Sequence, residues 1–363
     1  MTALVMRQRT AAGIEVDDQA SPSKSPSKPT ELLLPEHLID RLSDFFGRAE
    51  RAMAPKTISA LRSDGRLFAG WCAERGLSWL PAEPATVAAF IEAVGASRKP
   101  ATIKRYLASI AAWHAAGDLA NPCRSLTVRM AARAQARART VRQRQANPVG
   151  EKEIDAILAA VGSGAQTPHR ELIGLRDSAL LLVARDTLCR ASEVVALRWE
   201  DLEDGDDGEG SILVRRSKTD QEGAGAARFL ADDTMRALAA WRTAIGRAVD
   251  PATRAVVASS PFVFRHLARR GYGPALSPTS YAAIVKARSA SIGLSGAYSG
   301  HSTRVGGAQD LVAAGEDLPA VMQAGGWKSP AMVARYTERL QTSRGAVARV
   351  RRRRWAQTPV GVG

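Results

Sequence analysis

The residues best suited to chemistry in this chain lie towards its carboxyl end. His301 and Arg304 stand three positions apart, so a helix would present both on one face. Trp327 follows in an Ala-Gly-Gly-Trp run, and Tyr336 lies in a further helical pattern beyond it. Cationic and N–H donor groups beside a phenol could support attack on a phosphodiester without a metal ion, because the donors stabilise the charge that develops.

Three residues far upstream extend this candidate set. Arg190 and Glu193 form an Arg-x-x-Glu pair, and Lys218 stands in a predicted turn. An arginine binds two phosphate oxygens through its planar fork and stays charged, whereas a lysine can act as an acid when neighbouring cations lower its pKa. The sequence shows neither a carboxylate cluster for Mg²⁺ nor a glycine-rich phosphate loop. No metal and no cofactor are therefore expected.

Each of these residues also has an ordinary structural interpretation. An Arg-x-x-Glu pair is usually a pair on a helix surface, and a lone Tyr or Trp usually packs in a core. A lysine in a hairpin usually faces solvent. The joint occurrence of the whole set, in this order, is what favours the chemical interpretation.

The charge of the chain indicates a polyanionic partner. The 363 residues carry a net charge of +15, an excess typical of proteins that bind nucleic acid. The stretch 119–150 contains seven arginines and no acidic residue, and the run Arg351–Arg354 follows the last acidic residue, Glu338. Double-stranded DNA is the expected partner. The arginine run is interpreted equally well as phosphate contacts or as a solvated tail.

Apolar periodicity divides the chain into four segments. Residues 1–30 are rich in Pro and Ser and are predicted to be a disordered tail. Residues 31–138 show helical stripes that predict a DNA-binding bundle of four or five helices, and the polar stretch 139–150 is interpreted as a linker. Residues 151–363 predict a mostly α domain with one small antiparallel sheet. The predicted fold class is therefore mainly α.

The small sheet is predicted from two short runs. Residues 211–216 and 227–230 read as the strands of a hairpin, with Lys218 in its turn. The acidic, glycine-containing stretch Glu200–Glu209 that precedes them is interpreted as an exposed loop. It lacks the regular alternation of an EF-hand loop, so it predicts no calcium site.

Basic residues lie on the polar faces of the helices predicted for the bundle, opposite the apolar stripes. Such faces suit the phosphates of duplex DNA. The residues expected to contact DNA there are Arg62, Arg66, Lys104, Arg105, Arg133 and Arg137.

The three cysteines favour a reducing compartment. Cys72, Cys123 and Cys189 are an odd number without paired spacing, which argues against a disulfide framework or a zinc site. No apolar run approaches the roughly 18 residues that span a bilayer, and the amino terminus has no secretory pattern. The expectation is a soluble, cytoplasmic protein without a membrane partner.

Several motifs closely resemble those of tyrosine recombinases of the phage integrase family. In the carboxyl-terminal half they are Asp186-Thr-Leu-Cys-Arg-Ala-Ser-Glu193, Ser299-Gly-His-Ser-Thr-Arg-Val-Gly306 and Val321-Met-Gln-Ala-Gly-Gly-Trp327. In the bundle, Ala69-Gly-Trp-Cys72 and Trp79-Leu-Pro-Ala-Glu-Pro84 also match. The resemblance covers roughly residues 35 to 350, and it is most specific for the three carboxyl-terminal motifs.

The resemblance implies a role for each candidate residue at a scissile phosphate. Arg190 and Arg304 would clamp the phosphate, and Trp327 would donate a hydrogen bond to it. Glu193 would orient this set.

The resemblance also implies the proton transfers. Tyr336 would be the nucleophile that forms a 3′-phosphotyrosine, with His301 assisting proton transfer at its hydroxyl. Lys218, on the hairpin, would protonate the departing 5′ oxygen.

The family resemblance further implies the assembly. The two domains would form a C-shaped clamp around DNA, with a homodimer on each inverted-repeat site and a homotetramer passing through a Holliday junction. The segment Arg339–Val350 would dock on a neighbouring protomer. Ser280 and Lys286 lie where the resemblance places a helix that reads the major groove, and the base-contacting Arg of a relative is missing there. The target site is therefore expected to differ.

Two other functions remain open from the sequence. One is a topoisomerase-like enzyme that nicks and rejoins DNA by the same chemistry. The other is a catalytically silent DNA-binding regulator on the same scaffold, against which the intact set of candidate residues argues.

Overall fold

The computed structural model describes most of the chain as two compact units, divided between Gln143 and Arg144. The predicted tail 1–30 and the candidate acid Lys218 lie outside the described residues. The described ranges are 34–138, 145–162, 167–217, 224–257 and 259–356.

The described residues of the amino-terminal unit form five α-helices, as the apolar stripes predict. Proline occupies the first helical position of three of them, where its missing N–H costs no hydrogen bond. The core gathers Phe68, Phe90, Ile91 and Ile103 from three helices. The helices are α1 (Glu36–Ala52), α2 (Pro55–Ala73), α3 (Pro84–Gly95), α4 (Pro100–Ala116) and α5 (Leu126–Arg137).

A neutral histidine is built into this bundle. The Ala82 N–H donates to Nε2 of His114 (2.9 Å), and Nδ1 of the ring lies 2.8 Å from the Ile110 carbonyl oxygen. Nε2 must accept, so the proton sits on Nδ1 and the ring is uncharged. Burial lowers the pKa of His114 below its ordinary value of 6.5.

Acid is expected to destabilise the protein through His114. In the unfolded chain the ring takes up a proton near pH 6.5, whereas the folded ring resists protonation. The free energy of unfolding should therefore fall as the pH drops below about 6.5, by at most ~1.4 kcal/mol per pH unit. Urea unfolding across this range should show the loss of stability for the wild type and for the control His37→Gln, whose histidine is exposed on α1. His114→Gln should flatten the profile, and an unchanged acid dependence would contradict this account.

The described residues of the second unit form nine α-helices and five short strands, which confirms a mainly α fold. The helices are α6 (Glu151–Gly162), α7 (Pro168–Thr187), α8 (Ala191–Val194), α9 (Asp232–Arg247), α10 (Pro278–Ser291), α11 (Ser302–Ala314), α12 (Leu318–Gly325), α13 (Pro330–Arg344) and α14 (Ala346–Ala356). The strands are β1 (Leu202–Asp204), β2 (Gly210–Val214), β3 (Ala226–Leu230), β4 (Leu267–Ala268) and β5 (Gly271–Tyr272).

The sheet prediction needs two corrections. The predicted β2–β3 hairpin is present, but β1 adds a third antiparallel strand, in the order β1-β2-β3. This strand lies inside Glu200–Glu209, which the sequence predicts as a loop. The prediction was wrong because Leu202 is the one apolar residue of the strand, and acidic residues are uncommon in strands. The second sheet, β4–β5, was also missed, since two-residue strands carry no periodicity.

The carboxyl end of the predicted linker 139–150 is packed into the second unit. The N–H of Asn147 donates to the Ala297 carbonyl (2.9 Å), and that of the buried Val149 donates to the Ser302 carbonyl (3.0 Å). A Cβ at Gly306 would lie 2.2 Å from the Val149 carbonyl oxygen, so only glycine permits this approach. The polar composition concealed these contacts because the backbone makes them.

Candidate catalytic site

Four candidate residues line a single cavity of about 270 Å³ in the second unit. They come from different elements: Arg190 and Glu193 from the start of α8, Arg304 from α11 and Trp327 from the turn after α12. Residues separated by more than 100 positions therefore face one space, as the chemical interpretation requires. Other lining residues include Thr187, Cys189, Ser217, Arg228, Gln323, Gly326 and Lys328.

Arg304 is the most deeply buried charge of the site, with 1% of its surface exposed. Its Nη1 donates to the Leu188 carbonyl, and its Nη2 donates to the Gly325 carbonyl at 2.6 Å. Leu188 caps the carboxyl end of α7 and Gly325 is the last residue of α12. The carbonyls at a helix end lack intrahelical partners and carry partial negative charge, so two helix ends hold this guanidinium.

The electrostatics of Arg304 suit an anionic ligand. Burial, and next the neighbouring charge of Arg190, lower its pKa to about 10. The guanidinium therefore remains charged at neutral pH, but its desolvation is only partly compensated by protein groups. A phosphate placed in the cavity would supply the missing negative charge.

Glu193 fixes Arg190 in two ways. Its Oε1 lies 2.6 Å from Nη1 of Arg190, and its Oε2 accepts the Arg190 backbone N–H at 2.8 Å. The carboxylate is buried and stands at the third position of α8, where such a residue satisfies the helix start. Glu193 thus aligns the guanidinium while leaving its other N–H groups for a ligand.

Trp327 connects the cavity to Tyr336. The Arg304 guanidinium carbon lies 4.3 Å from the centroid of the Trp327 ring. The centroids of the Trp327 and Tyr336 rings lie 5.7 Å apart. The indole Nε1 is buried and has no hydrogen-bond partner among the described residues. Tyr336 is half-buried on α13, packed beside Val333 and Ala308. The tyrosine therefore lies next to the cationic site rather than remote from it.

Of the two remaining catalytic candidates, the structure describes His301 but not Lys218. His301 is exposed and caps α11, one turn before Arg304, and its backbone N–H donates to Ser299 Oγ at 3.2 Å. Lys218 is outside the described residues, between Ser217, which lines the cavity, and β3. The predicted role of Lys218 therefore stays a prediction.

A buried hydrogen bond joins α10 to α11. The hydroxyls of Tyr281 and Thr303 lie 2.9 Å apart, and both side chains are almost wholly buried. Burial raises the pKa of Tyr281 to about 12, so it stays a neutral phenol. Thr303 stands between His301 and Arg304, and Tyr281 follows Ser280. The bond thus aligns α11, which carries the candidates His301 and Arg304, with the helix predicted to read DNA.

Removing both partners of this bond is expected to destabilise the protein by much less than the two single removals add up to. Tyr281→Phe or Thr303→Val alone should lower the free energy of unfolding by about 1–3 kcal/mol, because one buried hydroxyl is left unpaired. In the double variant no unpaired hydroxyl remains. Urea unfolding of the four proteins should give a double-variant loss well below the sum of the single losses, and additive losses would contradict this interpretation.

Two of the basic residues predicted to contact DNA are engaged inside the amino-terminal unit. Arg62 pairs with Glu50 at 2.6 Å. Arg105 binds the buried Asp64 carboxylate through Nε (3.0 Å) and Nη2 (2.8 Å), so it neutralises a charge that the sequence pattern did not predict as buried. Arg105 is nevertheless exposed, and so are the other four, namely Arg66, Lys104, Arg133 and Arg137.

The two residues predicted to lie on a reading helix stand on α10. The Ser280 backbone N–H donates to Ser277 Oγ (3.0 Å), and its hydroxyl lies 2.9 Å from the same atom, so Ser280 participates in the cap of α10. Lys286 is exposed. Their contacts with DNA stay predictions.

Two further cations of the cavity were missed from the sequence. Arg228 lies on β3 and Lys328 directly follows Trp327. Strand alternation could have identified Arg228, because it shares a face with the buried Leu230. Among the described residues, no group of three or more His, Cys, Asp or Glu side chains could hold a metal ion. No described helix is long and apolar enough to cross a membrane.

A mostly helical unit in which two arginines and an indole line one cavity, with a tyrosine ring packed on that indole, has the side-chain set of a tyrosine recombinase. The family model "Phage integrase family" matches residues 149–342, and "Phage integrase, N-terminal SAM-like domain" matches 48–116. The chain belongs to the phage integrase family and is a tyrosine-type site-specific recombinase, which confirms the resemblance drawn from its motifs.

Known relatives agree with this assignment. The recombinase Cre of Escherichia phage P1 is 29% identical over 322 residues, covering 85% of this chain and 91% of that protein. An integrase/recombinase XerD homologue of Selenomonas ruminantium is 30% identical over 300 residues, covering 80% and 84%.

Solved structures share the fold. The Tn1549 transposon integrase in complex with circular intermediate DNA has a TM-score of 0.55 at 13% identity, covering 82% of this chain and 94% of that one. A lambda integrase dimer bound to a core site has a TM-score of 0.51 at 18% identity, covering 82% and 76%.

Proposed function

We propose that this recombinase cleaves and rejoins duplex DNA through a 3′-phosphotyrosine at Tyr336. The observation that carries the proposal is the single cavity in which Arg190, Arg304 and Trp327 converge, with the Tyr336 ring packed against Trp327. A cavity with two guanidiniums and a buried, unpaired indole N–H is complementary to a phosphodiester anion.

The first half-reaction exchanges one phosphoester bond for another. The Tyr336 oxygen attacks the scissile phosphorus and loses its proton, with His301 assisting the transfer. The bond from phosphorus to the 5′ oxygen breaks, and Lys218 gives that oxygen a proton. A tyrosine-to-phosphate ester and a free 5′ hydroxyl result. Because one phosphoester bond replaces another, rejoining the strand consumes no nucleotide.

The side chains of the cavity support the pentavalent state. Arg190 and Arg304 would each donate to nonbridging oxygens, and Trp327 Nε1 would add a third donor. Preorganised donors of this kind accelerate a reaction because they need not reorient when the charge develops. Glu193 and the two helix ends that hold Arg304 supply this preorganisation.

The assembly is part of the proposal. Homodimers would bind the two arms of an inverted-repeat site, and two dimers would form a tetramer that exchanges strands through a Holliday junction. The segment Arg339–Val350 would dock on a neighbouring protomer. Two exposed apolar residues at the start of α14, Val347 (77% exposed) and Val350, support this docking.

DNA contacts by the amino-terminal unit would come from the exposed Arg66, Lys104, Arg133 and Arg137, together with Arg62 and Arg105. On the second unit, Ser280 and Lys286 of α10 would lie at the major groove. We place the reaction in the cytoplasm, which the three free thiols support.

Capture of a covalent adduct tests the proposed function on DNA whose target sequence need not be specified. The protein would be incubated in EDTA with random-sequence duplexes that each carry a nick, so that a cleaved strand loses its short 5′-hydroxyl fragment and cannot be rejoined. Denatured protein that retains DNA would be purified, the DNA sequenced and the modified peptide identified. The expected result is a phosphotyrosine at Tyr336 on DNA enriched in one inverted repeat.

Other outcomes would overturn the proposal. Adducts without sequence enrichment, together with relaxation of any supercoiled plasmid, would indicate a topoisomerase. Salt-dependent DNA binding without any adduct would indicate a silent regulator.

A further inference from the structure

A third guanidinium stands in the catalytic cavity. Arg228 lies on β3, opposite Ile212 of β2, and points to the same face of the strand as the buried Leu230. It lines the same cavity as Arg190 and Arg304. The phosphate clamp proposed for Arg190, Arg304 and Trp327 does not include Arg228.

The end of α12 holds this side chain in place. Arg228 Nη1 donates to the carbonyls of Gln323 (2.9 Å) and Ala324 (3.0 Å), and the next carbonyl, that of Gly325, accepts from Arg304. A Cβ at Gly326 would lie 2.6 Å from Arg228 Nη2. The last turn of α12 therefore fixes two guanidiniums, immediately before the turn that carries Trp327.

The Nε of Arg228 is buried and has no hydrogen-bond partner among the described residues. In the described part of the chain only four side-chain N or O atoms share this state, and a second of them is Trp327 Nε1. Both residues line the catalytic cavity. A buried N–H without an acceptor destabilises a protein, so two such donors at one cavity indicate an acceptor that arrives with the ligand.

We propose that Arg228 is a further catalytic residue, whose Nε–H donates to a nonbridging oxygen of the scissile phosphate. This inference rests on the proposed function, since it takes the phosphodiester as the ligand of the cavity. Bonds from Nη1 to the end of α12 preset the orientation of the guanidinium. The hydrogen bond from Nε–H to the phosphate oxygen then strengthens as negative charge develops on that oxygen.

The test uses three variants on the nicked duplex that the wild type captures. Arg228→Met removes the charge and all donors, and Arg228→Lys keeps the charge without the planar fork. Arg236→Met is the matched control, since Arg236 lies on α9, is exposed, pairs only with Asp232 among the described residues and does not line the cavity. Single-turnover adduct formation should fall about 100-fold in both Arg228 variants. The control should react within about twofold of the wild type, because surface pairs contribute little.

A second substrate separates contact with phosphate from a structural role. A methylphosphonate at the scissile position replaces one charged nonbridging oxygen with a methyl group. One diastereomer lacks the oxygen that Arg228 contacts. On this substrate the wild type loses the contact, whereas Arg228→Lys has already lost it. The ratio of the wild-type rate to the Arg228→Lys rate should therefore shrink from about 100 to below about 10. A purely structural role would leave the ratio equal on all substrates.

The outcomes distinguish this inference from the proposed function. Absence of any adduct with the wild type overturns both. Adduct formation by the wild type, with Arg228 variants that react like Arg236→Met or that show the same rate ratio on every substrate, overturns the role of Arg228 alone. Thermal unfolding of Arg228→Lys identifies any loss that comes from a weakened α12.

Discussion

Tyr336→Phe is expected to abolish the covalent adduct and to leave DNA binding almost unchanged. The substitution removes one oxygen atom, which is the proposed nucleophile, and it keeps the ring that packs on Trp327. Loss of a nucleophile typically lowers the rate by a factor on the order of 10⁴ or more. Stability should change little, because the hydrogen bond that Gln309 donates to Tyr336 goes to its backbone carbonyl and not to its hydroxyl.

The measurement is adduct formation on a denaturing gel beside a binding titration on the same captured duplex. Tyr272→Phe provides a matched control, since Tyr272 lies on β5 outside the cavity, where its hydroxyl is 3.0 Å from Nδ1 of His169 on α7. That control should still form the adduct. Persistence of the covalent species in Tyr336→Phe would show that another residue attacks the DNA.

Arg304→Gln is expected to cause the second-largest loss, a fall of about 10³-fold or more in the rate of adduct formation. The substitution removes a donor that is buried and charged at neutral pH, where a phosphate oxygen would accept from it. Glutamine has a single amide, so it cannot bond both helix ends and a phosphate oxygen together. Binding to the duplex should weaken much less, because many phosphate contacts share it.

A buried arginine elsewhere in the unit controls for the loss of stability. Arg176 is similarly buried and bonds Asp177, which retains Arg288 as a second partner. Arg176→Gln should lower the free energy of unfolding, by about 1–3 kcal/mol, without a comparable loss of cleavage. If Arg304→Gln reacts at the wild-type rate, or if both variants lose activity in proportion to stability, the proposed role of Arg304 is wrong.

The cavity depends on backbone geometry that small residues permit. A Cβ at Gly307 would lie 2.2 Å from Leu188 Cδ2, and one at Gly325 would lie 2.0 Å from the Trp327 ring. Leu188 itself adopts φ 51°, in the left-handed region, where it ends α7 and turns its carbonyl towards Arg304. Glycine and one strained residue thus let the ends of α7 and α12 approach the guanidiniums closely.

The sequence determined the fold class by itself and predicted most of the candidate site. Helical stripes are a property of local spacing, so the bundle and the helices of the second unit could be predicted directly. The pairing of Arg190 with Glu193 and the placement of His301 before Arg304 follow from positions three apart, which a single helical turn brings together. The family motifs then joined these local pieces to Trp327 and Tyr336.

Tertiary structure alone decided what each charged group does. No local pattern shows that Asp64 is buried and needs Arg105, or that the carbonyls of α12 hold both Arg228 and Arg304. These bonds join residues that are tens of positions apart, and many of their acceptors are backbone carbonyls, which every residue type carries. Sequence therefore indicates which side chains can do chemistry, whereas long-range backbone placement determines which of them are oriented for it.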